Sequence, residues 1–210
     1  MSLQNEMEAI IEAMNGVPAM RPEDIPDIGL YMDQVTTLME KALGQGRRGP
    51  EDKILTKTMI NNYTKNELLP PPDKKKYSRD HVLLLFLIYY LKNFLSITDI
   101  RTLLAPLFRH LGRPQEALSL EEIFSQILSM EEAQAPVLRE DLFTKADASR
   151  ACIDGLESQP DPDYLEKLYY ICALSYDIYV KKAMVERLID NLAAADPSPK
   201  GKARKKPHEE

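Results

Sequence analysis

The chain has 210 residues, a formal charge of −6 and 44% apolar residues, enough to bury a sizeable core; this excludes a collagen-like or wholly disordered chain. Eight glycines and no tryptophan, with Leu, Ala, Glu, Lys, Ile and Met dominant, favour helix over strand. Two cysteines, Cys152 and Cys172, show neither Cys-x-x-Cys nor Cys/His spacing, so no zinc site is legible and both are expected as buried free thiols.

Met7 to Met14 (MEAIIEAM) has the pattern of a short amphipathic helix ended by Asn15-Gly16. Its acidic start lacks the basic flank and apolar core of a signal peptide, so a cytoplasmic location is expected. The segment VPAMRPEDIPDI, with three prolines, reads as an extended connector. A second helix is expected over about Leu30 to Leu43, where Val35, Leu38, Met39, Ala42 and Leu43 repeat at helical spacing. GQGRRGPEDK then reads as a polar loop.

Thr56 to Lys65 (TKTMINNYTK) predicts a short helix with Thr56 as a candidate N-cap. Three prolines after Leu68-Leu69 stop it. Ser78 is placed to cap a helix over Arg79 to Leu95, whose apolar run Val82 to Leu91 is half the length of a membrane span. Phe86, Tyr89 and Tyr90 in this run are expected in the core. Ser96 to Asp99 resembles a capping box for a helix over Ile100 to Phe108, and Ser119-x-x-Glu122 is a complete one for a helix to about Met130. Ala135 to Cys152 reads as weakly helical with a break near Phe143. Asp161-Pro162-Asp163 opens the longest helix, Tyr164 to Ala194. The polar tail 196–210 is expected to be disordered and basic.

Charge is segregated along the chain. Residues 1–45 carry a net −6, residues 46–113 a net +7, residues 114–197 a net −10 and residues 198–210 a net +3. Positive charge gathered in one stretch suits a polyanion despite the acidic total. Histidines 81, 110 and 208 are scattered and no nucleophile–base pattern is visible, so neither an enzyme nor a cofactor is expected.

The middle of the chain resembles the DNA-binding domain of MerR-type regulators. There, a recognition helix ends in an Arg-Tyr-Tyr-Glu-x-x-Gly-Leu-Leu-x-Pro-like pattern, followed by a Gly-Tyr-Arg-x-Tyr wing and a helix starting Ser-Leu-x-Glu-Ile. The matching stretches are Asn61 to Pro71, Asp73 to Tyr77 and Ser96 to Ile100. Asn61 stands at the family arginine, Lys75 at the wing arginine, and Glu67 and Asp73 at the two glycines. From about Ile25 to Leu192 the chain is also similar to a bacterial domain of unknown function described as MerR-like predicted regulators. It shares LTKTMINNYTK, LLPPP and HVLLL with that family.

These resemblances imply an all-α fold: a winged helix-turn-helix (MerR-like) DNA-binding domain over residues 25–113, preceded by an N-terminal helix and connector (1–24). A C-terminal helical bundle (114–195) would serve for dimerisation or sensing, and a disordered basic tail (196–210) follows. The implied function is sequence-specific transcriptional regulation, with a recognition helix at about 56–65 and a lysine-rich wing at 73–77. Short polar and basic side chains suit base edges and phosphates, which nominates Thr56, Lys57, Thr58, Asn61, Asn62 and Lys65. Asn61 is expected to face the groove, where Asn pairs with adenine. Tyr63 is placed either on a phosphate or in the core, while Lys74, Lys75 and Lys76 would follow the phosphate backbone. Tyr77 is expected to pack the wing.

Expected partners are duplex DNA, a second copy through the C-terminal helix, and an effector (small molecule or protein) of unspecified class, with no metal and no membrane. The alternative is an interaction module that keeps the winged-helix scaffold without DNA binding.

Overall fold

The structure, a computed structural model, describes residues 3–15, 20–44, 49, 53–110, 119–154 and 161–195. Among these the chain is mostly helical, with α1 (Leu3–Asn15), α2 (Met32–Leu43), α3 (Lys57–Lys65), α4 (Arg79–Leu91), α5 (Ile97–His110), α6 (Leu120–Ala151) and α7 (Pro162–Ala195). Two short strands, β1 (Leu30–Tyr31) and β2 (Lys76–Tyr77), pair antiparallel. Most of the loop between α2 and α3 and all of the 196–210 tail lie outside the described residues.

Side-chain caps set many of the boundaries. Thr56 Oγ1 accepts from the Met59 N–H at 3.2 Å and starts α3. Ser96 and Asp99 exchange bonds at 3.3 and 3.1 Å, a full box despite the shorter acid, so α5 begins at Ile97 and not at Ile100. Ser119 and Glu122 do the same at 2.7 and 3.1 Å to open α6. Asp161 accepts from the Tyr164 N–H at 3.0 Å at the head of α7.

Helix α4 is the centre. Its residues Val82 to Phe86 and Ile88 are buried on all sides, because neighbouring elements cover it around its circumference. It ends at Leu91, one turn before the expected Leu95; the following turn folds back and buries Leu95. Arg79 fastens this centre. Its guanidinium donates to Glu121 at the start of α6 and to the Ile25 carbonyl, each at 3.1 Å.

Helix α6 is continuous through Pro136 and Phe143, where the sequence suggested a weak, broken element. Residues 132–140 are exposed, so the proline displaces no packed neighbour. This solvated stretch separates two apolar clusters. The larger surrounds α4 and includes Phe124 and Ile189. The smaller joins Leu3 and Met7 of α1 to Ala146 of α6 and Tyr170 of α7, with Phe143 packed against it.

Two expectations about side chains are corrected. Cys152 and Cys172 are both exposed, because Cys152 caps the end of α6 and Cys172 lies off the packed face of α7 defined by Glu166 and Tyr170. Tyr90 is 59% exposed, since α4 turns that flank outward at its last turn, while Phe86 is buried and Tyr89 half-buried.

Candidate nucleic-acid interface

Helix α3 presents two faces. Ile60 and Tyr63 point into the core, and burial pushes the Tyr63 hydroxyl above its usual range. Tyr63 therefore packs α3 from beneath. Lys57, Thr58, Asn61, Asn62 and Lys65 lie on the exposed side. Thr56 is half-buried and its hydroxyl is committed to the cap. Both asparagines reach solvent, and the Asn62 carbonyl also holds the Asn66 side chain at 2.7 Å.

The end of α3 is a Schellman motif. The Leu68 N–H bonds the Tyr63 carbonyl at 2.9 Å and the Glu67 N–H bonds that of Thr64 at 3.2 Å. This closure requires a left-handed residue, and Glu67 supplies it with φ 59°. Leu68 and Leu69 then enter the core and carry the chain into the prolines.

The prolines lead to a tight turn. The Lys76 N–H bonds the Asp73 carbonyl at 2.8 Å, and Lys74 and Lys75 between them sit at φ 47° and 66°. Positive φ at both central residues is the signature of a type I′ hairpin turn, which ordinarily takes Asn-Gly. The left-handed positions are thus Lys74 and Lys75, one and two residues beyond Asp73, where the resemblance places the wing glycine. All three lysines are exposed.

What holds this turn leaves no periodic signal along the chain. Strand β2 pairs with β1, Tyr77 opposite Leu30 and Lys76 opposite Tyr31. The Lys76 ammonium lies 5.6 Å from the centre of the Tyr31 ring. Gly29 permits this approach, since a Cβ there would meet the Lys76 side chain at 3.0 Å. Two residues beyond Tyr31, Asp33 forms an ion pair with Lys57 at the start of α3. The segment from Gly29 to Asp33 therefore brings the first residue of α3 and the lysine turn to one place. Two-residue strands are too short to leave a periodic pattern, so Gly29, Tyr31 and Asp33 escaped the sequence reading.

Below the turn, Tyr77 is buried and meets the His81 ring edge-on, centroids 5.6 Å apart. His81 Nδ1 accepts from the Ser78 N–H at 3.1 Å, which puts the ring proton on Nε2. That nitrogen is buried beside the Pro70 and Pro71 carbonyls. Burial holds the His81 pKa below the usual histidine value, against a partial opposing pull from those carbonyls and Asp80.

Among the described residues no cluster of three His, Cys, Asp or Glu is placed to hold a metal, and no helix is long and apolar enough to cross a membrane. Residues 20–127 match the family described as a domain of unknown function (DUF1836), and the chain belongs to that family. No curated protein and no solved structure matches it.

Proposed function

We propose that this DUF1836 protein is a sequence-specific DNA-binding transcriptional regulator, non-enzymatic and cytoplasmic, with a winged helix-turn-helix of MerR-like type. Helix α3 is the recognition helix and the Asp73–Tyr77 turn is the wing. The observation that carries this reading is the pair of exposed lysines in left-handed backbone. Lysine is a poor choice for a type I′ turn, and strain of this kind persists where the side chain is needed. The shared anchor at Tyr31 and Asp33 supports it by bringing Lys57 and Lys76 together. Asn61 would read a base edge, Asn62 would contact the backbone beside it, and Lys65, Lys74 and Lys75 would meet phosphates.

The reading includes a homodimer through α7, whose exposed Tyr176, Ile178, Tyr179 and Met184 exceed the scattered apolar residues of an ordinary surface. The same surface favours a second reading, an interaction module that has lost DNA binding.

Binding to genomic DNA fragments separates the two. With about five phosphates contacted, log K should fall against log salt with a slope of about −4 to −5. Reversing Lys74, Lys75 and Lys76 to Glu should abolish retention while leaving the helical signal intact. Retention that ignores both salt and the reversal rules out the regulator.

A further inference from the structure

We propose a second binding site in the apolar hollow between α4, α5 and α6, with an amphipathic organic cation as its ligand class: an apolar body with one positively charged end. The hollow has a volume of about 420 Å³, which falls in the range of small-molecule sites. Its walls include Phe86, Tyr90, Phe124, Ile127 and Leu128, and the one charged group among its described lining residues is Glu131.

Three features select the ligand. Phe86 and Phe124 meet at 78° with centroids 6.4 Å apart, and with Tyr90 they offer aromatic surface that attracts a cation as well as apolar matter. Glu131 lies at the edge of this surface, where burial raises its pKa. No cation among the described residues pairs with Glu131, whereas the adjacent Glu132 binds Arg21 at 2.8 Å. A neutral ligand would leave the Glu131 carboxylate unpaired as it covered it, and an anion would be repelled. A cation alone satisfies both the rings and the carboxylate. The site does not depend on the DNA reading, because its test uses the free protein.

The probes are decylammonium, decanol and decanoate, which share one chain and differ in the charge of the head. Titration of the full chain, followed by tyrosine fluorescence and calorimetry, should show one decylammonium per chain. It should bind about tenfold or more tighter than decanol, with decanoate weakest. Glu131→Gln should bring decylammonium and decanol within about threefold of each other and leave decanol unchanged. Ile127→Trp, which fills the hollow, should abolish binding of all three. Leu128→Phe narrows the same space from a half-buried position and provides the second variant if the first loses its helical signal. Equal binding of the three probes, a preference that survives in Glu131→Gln, no binding, or binding unaffected by both filling variants would each overturn the proposal.

Discussion

At the scale of the residue, left-handed backbone is where this sequence works against itself. Glu67 closes α3 at φ 59°, a position that glycine occupies without a Cβ clash. Replacing it with glycine should raise stability by about 0.5–1 kcal/mol, read as a higher urea midpoint at unchanged slope. The lysine pair makes the contrasting case. Lys74→Asn with Lys75→Gly should also stabilise the fold, yet it removes two charges and should make the salt slope of DNA binding shallower by about two. Stability and binding moving in opposite directions would identify the strain as retained for function. His81 adds a dependence on pH. Its pKa is lowered on folding, so the unfolded chain takes up the proton first as the pH falls. This contribution is therefore complete above the unfolded value of about 6.5, declines as the pH drops through it, and levels off below the folded value. Urea midpoints at pH 7.5 and pH 5.5 should differ more for the wild type than for His81→Gln.

At the scale of the element, what was legible in the sequence was what a few neighbouring residues decide. Thr56, Ser96 with Asp99, and Ser119 with Glu122 each announce a helix start, and each makes the expected bonds. The helix end expected at about Met130 and the break expected near Phe143 are both absent; EEAQAPVLRE hid the continuity because it offers no apolar stripe and holds a proline. The helix continues there because both of its ends are anchored, one against Phe86 through Phe124 and the other through Ala146. The β1–β2 pair was invisible for a different reason, since its partners lie far apart in sequence and span two residues each. Of the candidate site, the lysines and asparagines were legible from charge and motif. Their support by Gly29, Tyr31 and Asp33 was not. The continuity of α6 yields its own prediction. Pro136→Ala restores an N–H in a stretch with no packing to disturb, so it should raise the thermal midpoint, with a gain of about 1–3 kcal/mol.

At the scale of the whole molecule, charge and apolar surface are divided between regions. The basic residues 46–113 contain α3 and the lysine turn, while the acidic residues 114–197 contain α6 and α7. Helix α7 packs against α1, α5 and α6 yet leaves one face uncovered, and Val180, Met184 and Leu188 continue that face toward its C-terminal end. A second copy laid against this face would bury it in an isologous contact. Tyr176→Glu with Val180→Glu should then shift sedimentation from dimer to monomer. In the wild type, the thermal midpoint should rise with protein concentration. A monomer at all concentrations would refute the dimer and leave the α3 assignment untouched.

The solvated stretch of α6 has one more consequence, for the order in which the protein comes apart. Among the described residues, α6 and α7 run from the cluster around α4 to the small cluster that holds α1, and the 3.0 Å pair of Lys145 with Asp177 ties the two helices beside the small one. The small cluster can therefore open while the rest stays closed. Its amide protons should exchange by local opening at a lower free energy than those of α4, whose protection should track global unfolding. The N-terminal helix, fastened by Leu3, Met7 and the 2.7 Å pair of Glu6 with Lys167, would be the first to detach.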